Sequence, residues 1–274
     1  MRNRTLHRSL TLVPALALAL TLSACGDDSS DDSTDAGNDT SSESSLDTVS
    51  SGTLTVCSDV PYPPFEDFDE TSDSGFKGFD IDIVQEVADG LELELAVKDS
   101  SFDALQSGQA LNAAQCDLAA SAMTITDERK AALDFSDGYY DSQQSLLVAD
   151  DSDIASIDDL DGVKIGVQQG TTGKAYAEEN ASGAEIVSFP SDAEMFQAIK
   201  AGQVEALLQD LPVNINHQES GGFKVVETFS TDESYGLAMK KGNTALVDAV
   251  NEQLGEMRDD GTYDEIYNTY FATE

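Results

Sequence analysis

Beyond residue 24 the chain holds two arginines, Arg129 and Arg258, against 53 aspartates and glutamates in the whole sequence. A cation this scarce is a candidate for a specific anion. A planar guanidinium stays charged when buried and meets a carboxylate through two parallel hydrogen bonds, which a lysine cannot do. A second anion-seeking feature is Gly170-Thr171-Thr172, where a helix is expected to begin and unpaired amides favour negative charge. Gln168 and Ala175 stand where a phosphate loop needs Gly and Ser or Thr, so nucleotide binding is not expected and no cofactor is implied. His217 is the one histidine beyond the leader and lies in the polar stretch Asn214 to Gly222, which reads as an exposed loop. With no second His or nearby Cys there is no expected metal site and no nucleophile paired with a base. No catalytic residue is therefore assigned. Cys57 and Cys116 could form a disulfide or remain two buried thiols, and their spacing leaves both open.

The elements that must carry these residues alternate strand and helix. Leu54-Thr-Val56 is a short β-branched run, and Phe79 to Val87 places apolar residues at helical spacing. Leu91 to Val97 reads as a half-buried strand, Ser100 or Ser101 as the cap of a helix through Ala114, and Leu118 to Ala122 as a small-residue strand. Thr126 can cap the helix that carries Arg129. The layout restarts after Ser145-Leu-Leu-Val148. Val163 to Val167 is a strand, Thr171 to Asn180 a helix and Glu185 to Ser188 a strand. Ser191-Asp-Ala-Glu194 is a capping box, and Val204 to Leu208 is again a strand. Phe229 to Met239 and helices over 244–258 and 263–271 remain. Two α/β copies with a C-terminal return predict two lobes crossed twice, with hinges near 141–144 and 231–234.

The first 24 residues combine Arg2, Arg4 and Arg8 with an apolar run from Leu10 to Leu22, too short to span a bilayer, and end in Leu22-Ser-Ala-Cys25. This reads as an export signal over 1–24, and the block before Cys25 resembles a lipobox, which implies a lipid on Cys25. Residues 25–52, rich in Ser, Asp and Thr, read as a disordered acidic tether. Lobes are expected over 53–142 and 143–231, with 232–274 returning to the first. The net charge of -39 includes the three leader arginines. So acidic a chain excludes nucleic acid as a partner and fits a saline habitat.

Six segments in order resemble the bacterial extracellular solute-binding proteins of the polar amino acid class, the capture components of ABC importers. They are Thr55-Val-Cys-Ser-Asp-Val-Pro-Tyr-Pro-Pro-Phe-Glu66, Gly78-Phe-Asp-Ile-Asp82, Asp117 to Arg129, Ile165 to Thr172, Leu208-Gln-Asp210 and Asp260-Gly-Thr-Tyr263. The resemblance implies an α/β, two-lobed periplasmic-binding-protein-like (type II) fold, each lobe a mainly parallel sheet flanked by helices, with the ligand in the cleft. Arg129 would grip an α-carboxylate, helped by amides near Thr124 and Thr172, and Asp210 would hold the α-ammonium. Tyr62 and Phe102 would flank the ligand's side chain, with Asp59 and Gln168 at its tip. Ala122 stands where relatives often carry a hydroxyl for the ammonium, which leaves Thr124, Ser121 or a water to serve it.

The implied activity is extracytoplasmic binding of arginine, lysine, histidine or glutamine, by a monomer that docks on an ABC permease and touches the membrane only through its lipid. The alternative is an exported enzyme on the same fold, such as a cyclohexadienyl dehydratase-like protein. A receptor's outer domain is disfavoured, because no apolar stretch after residue 52 is long enough to span a membrane.

Overall fold

The computed structural model describes residues 46–272. The leader, Cys25 and most of the acidic segment lie outside the described residues. The chain opens with β1 (Thr53–Ser58), the small hairpin of β2 (Asp67–Phe68) and β3 (Phe76–Lys77), helix α1 (Phe79–Gly90) and β4 (Glu94–Asp99). The short helices α2 (Phe102–Gln106) and α3 (Gln109–Asn112), strand β5 (Leu118–Ala119), α4 (Asp127–Lys130) and β6 (Leu133–Phe135) follow. Next, β7 (Tyr140–Ala149) leads to β8 (Lys164–Gln168), α5 (Thr172–Asn180), β9 (Glu185–Phe189), α6 (Asp192–Lys200), β10 (Ala206–Asp210) and α7 (Leu211–Glu219). Finally β11 (Phe223–Tyr235) returns the chain to β12 (Ala238–Lys240), α8 (Thr244–Asp260) and α9 (Thr262–Phe271).

These elements form two five-stranded sheets, ordered β4-β1-β5-β12-β6 and β11-β7-β10-β8-β9. The two-lobed α/β architecture is the expected one, but each sheet is mixed rather than mainly parallel. β1 runs parallel to β4 and β5, and β8 to β9 and β10, whereas β7, β11 and β12 pair antiparallel. The antiparallel members are the strands that cross between the sheets or follow the return. Their long β7–β11 ladder pairs Ser142 with Glu233 and Asp141 with Ser234, inside both expected hinges.

Both faces of each sheet are buried, so side-chain alternation divides each strand between two cores. Leu54 and Val56 of β1 join the core that α1, α8 and α9 cover, while Cys57 joins the core of Phe102, Leu105 and Met123. Cys57 and Cys116 are bonded there, with Cα atoms 5.8 Å apart. In the second sheet Leu146 and Val148 face one core and Leu147 the other.

Three local readings are corrected. The helix expected through Ala114 is broken into α2 and α3 by Gly108, whose φ of 75° is left-handed. Strand β5 stops at Ala119 rather than Ala122, where φ is 44° and the amide donates to Asp80 Oδ2 at 2.8 Å instead of to a ladder. The polar stretch holding His217 is a helix. Asn214 is buried and donates to Ser145 Oγ at 2.9 Å, and His217 Nε2 meets Asp192 Oδ1 at 2.9 Å while stacking on Phe196. Two buried polar anchors outweigh the weak helical pattern of the segment. Within the segment read as tether, Leu46 lies against the first core and the Val49 amide donates to Asp117 Oδ1 at 2.6 Å.

Candidate functional site

Strand ends in a doubly wound sheet leave a crevice that loops and helix starts can furnish. Asp59 and Tyr62 follow β1, Phe102 opens α2, and Ser121, Ala122 and Thr124 follow β5. Arg129 lies on α4, whose cap is Thr126: its hydroxyl accepts from the Arg129 amide at 3.1 Å. From the other lobe come Gln168 at the end of β8, Thr172 at the start of α5 and Asp210 at the end of β10. All ten of these positions line one small cavity. Thr171, which caps α5 by accepting from the Lys174 amide at 3.1 Å, joins them as part of the Gly170-Thr171-Thr172 helix start.

The lobes meet across this cavity through its polar groups. Gln168 Nε2 donates to Asp59 Oδ2 at 2.6 Å, and the Tyr62 hydroxyl donates to Asp210 Oδ2 at 2.9 Å. Arg129 Nη1 donates to the Thr124 carbonyl at 2.7 Å and Nη2 to the Gly170 carbonyl at 3.0 Å. Its guanidinium lies 5.2 Å from the centre of the Phe102 ring, a cation–π arrangement. The backbone at Gly170 favours glycine because its φ is 80°, and a Cβ there would fall 3.1 Å from Gln106 Nε2, the end of a flexible side chain of the opposite lobe.

The cavity is electrostatically unusual. Asp59 is raised to about 6, chiefly by burial and further by the charges of Asp99 and Asp192, against the opposing bond from Gln168. Asp210 is likewise raised to about 6, by burial first and then by Glu233 beside it. Burial depresses the Arg129 guanidinium from its ordinary value, while the fields of Asp210 and Glu233 oppose that shift.

Behind the lining stands a row of acids that the sequence reading did not assign. The Ser121 hydroxyl is engaged on both sides, since it donates to Glu66 Oε1 at 2.6 Å and accepts from the Asp59 amide at 3.0 Å, which leaves its oxygen a single lone pair. Its place is to brace Asp59. Glu66 is fully buried and raised well above the usual carboxyl range by desolvation and by Asp80, itself held near 7 by burial. The Tyr139 hydroxyl and the Ala122 amide donate to Asp80. Gln144 Nε2 donates to Asp210 Oδ1 at 2.5 Å, and Glu233 accepts from both Thr124 and Thr172. Glu66 fell within a motif and Gln144 and Glu233 within the expected hinges, but with 53 acids in the chain nothing marked them as part of a site.

A guanidinium and two carboxylates around one small cavity can hold a molecule that carries both acid and base, with aromatic faces for its body. No histidine or cysteine lines the cavity. Among the described residues no group of His, Cys, Asp and Glu is arranged to hold a metal ion, and no helix is long and apolar enough to cross a membrane.

Comparison with known proteins identifies the family. The chain is 34% identical, over 97% of its own length and 97% of the other's, to the ABC transporter glutamine-binding protein GlnH of Bacillus subtilis. It is 33% identical to the lysine/arginine/ornithine-binding periplasmic protein of Escherichia coli, over 80% of this chain and 87% of that one. Among solved structures, an ancestral arginine-binding protein bound to glutamine superposes with a TM-score of 0.76 at 38% identity, covering 81% of this chain and 99% of that one. The model of the bacterial extracellular solute-binding proteins, family 3, matches residues 54–273, and this chain belongs to that family.

Proposed function

We propose that this chain binds a polar or basic L-amino acid, namely arginine, lysine, histidine or glutamine, outside the cytoplasm and delivers it to an ABC importer. The observation that carries the reading is the arrangement of charge in one cavity, with Arg129 among backbone groups of both lobes, Asp210 apart from it, and Asp59 with Gln168 at a third point. Arg129 holds the α-carboxylate, Asp210 the α-ammonium, and the slot between Tyr62 and Phe102 receives the side chain. Asp59 at the end of that slot selects tips that donate hydrogen bonds, because an apolar tip would leave it desolvated and unpaired and an acidic tip would repel it. The relatives' named ligands, glutamine and the basic amino acids, support this choice.

Residues 1–24 act as a leader, Cys25 carries the lipid, and the acidic segment before Leu46 tethers a monomer whose lobes, 53–142 with 232–274 and 143–231, close by hinging at 141–144 and 231–234. Ligand capture rather than catalysis is the activity. Prolonged incubation with prephenate should leave it unchanged, and product formation would favour the enzyme reading.

Two titrations test the site. Asp59→Asn should weaken L-arginine or L-lysine by roughly tenfold or more and L-glutamine by less than about threefold, since a cation loses a charge-assisted bond and an amide an ordinary one. Equal losses in calorimetry would remove Asp59 from the tip of the ligand. The pH dependence has a definite sign. A cationic ligand binds the ionised forms of Asp59 and Asp210, both of which hold protons until about pH 6 in the unliganded cleft. Affinity for L-arginine should therefore be complete at higher pH and fall as pH drops through about 6, approaching a tenfold loss per unit for each carboxyl. A constant affinity down to pH 5 would contradict these roles.

A further inference from the structure

We propose that Glu233 is a specificity-determining residue that fixes the direction of the hydroxyls at the amino end of the cleft, so that this site accepts a ligand's ammonium where Ala122 offers no oxygen. The inference rests on the amino acid reading given above. Glu233 is the residue at which the β7–β11 ladder resumes, opposite Ser142, after a register break from Phe229 to Glu233. Its predecessor Asp232 has a φ of 51°, which a non-glycine residue adopts only when its surroundings require it. That irregular turn places Glu233 inside the molecule, 8% exposed, with its carboxylate between the lobes. Thr124 Oγ1 donates to Glu233 Oε2 at 2.8 Å from one lobe, and Thr172 Oγ1 donates to the same oxygen at 2.9 Å from the other.

A hydroxyl has one proton and two lone pairs, and a carboxylate offers only acceptors. With both protons given to Glu233, Thr124 Oγ1 keeps its lone pairs for the cavity, and Thr172 Oγ1, which also accepts from Gln144 Nε2 at 3.4 Å, keeps one. The two threonine oxygens stand 3.5 Å apart, a long contact in which either could donate, and the shorter bonds to the carboxylate, at 2.8 and 2.9 Å, claim both protons. Gln144 extends the arrangement, since its Nε2 reaches both Glu233 oxygens at 3.2 Å and Asp210 Oδ1 at 2.5 Å. A reversed amide would aim its oxygen at two carboxylates, so this orientation is fixed. The amino end of the cleft thus presents Asp210 and two oriented hydroxyl acceptors. A cation with several N–H groups satisfies them, and a neutral hydroxyl cannot.

The test pairs L-arginine with its 2-hydroxy acid analogue, and L-glutamine with its own, titrated by displacement calorimetry against wild-type protein and Glu233→Gln. An amide can donate to the threonines and release their protons toward the ligand. The amino acid should then lose roughly tenfold or more in affinity, and the hydroxy acid less than about threefold. A latch that merely holds the lobes together would cost both ligands equally, and equal losses would overturn the proposal. Thr124→Val, which removes one acceptor and leaves Glu233 in place, should show the same selectivity if Glu233→Gln does not fold. Equal losses there would also overturn it. Failure of the wild-type protein to bind any of arginine, lysine, histidine and glutamine would instead overturn the functional reading and this inference with it.

Discussion

Arg129→Ala is expected to abolish measurable amino acid binding while leaving the protein folded. A ligand carboxylate buried between the lobes would lose its bidentate partner and remain desolvated, at a cost of about 2 to 5 kcal/mol. Arg129 also bridges the lobes through the Gly170 carbonyl and covers the Phe102 ring, so its removal weakens the closed cleft itself. Lysine should not rescue it, because a single ammonium cannot bond a carboxylate in two parallel directions. Calorimetry showing less than a threefold loss for the alanine variant would exclude Arg129 as the carboxylate's partner.

Removing the Cys57–Cys116 bond should produce the second large effect, on stability rather than on affinity. The bond links residues 59 positions apart and joins β1 to the approach of β5, the two strands that lead into Asp59 and Ser121. On the chain-entropy account, freeing a loop of that length in the unfolded state costs about 4 kcal/mol of stability. Cys57→Ser combined with Cys116→Ser should lower the urea midpoint accordingly. Neither sulfur lines the cavity, so under native conditions ligand affinity should change little. A midpoint unmoved by both the double substitution and reductant would show that the bond contributes nothing.

How far the sequence led depended on how rare each signal was. Arg129 stood out because one of two arginines beyond the leader lay beside a helix cap, and the cap is present. Asp59 and Asp210 were two acids among 53, and only their place in ordered motifs separated them from surface charge. Glu233 and Gln144 gave no such signal. They are separated by 89 positions, and it is the antiparallel crossing of β7 and β11 together with the irregular turn at Asp232 that brings them together. His217 was misjudged for a related reason: its helix is held by long-range bonds to Asp192 and Ser145 rather than by its own pattern. The strand-helix alternation was legible because it is local. The mixed sheets were not, since antiparallel members enter only through the crossings and the return.

The central claim, that this cavity is built for a polar or basic L-amino acid, is tested most directly by thermal melting of the protein with each of the twenty L-amino acids in turn. A ligand present at a thousand times its dissociation constant should stabilise by about 4 kcal/mol. The account predicts that arginine, lysine, histidine or glutamine gives the largest rise and that leucine and glutamate give none. A rise with leucine or glutamate and no response to those four would contradict it.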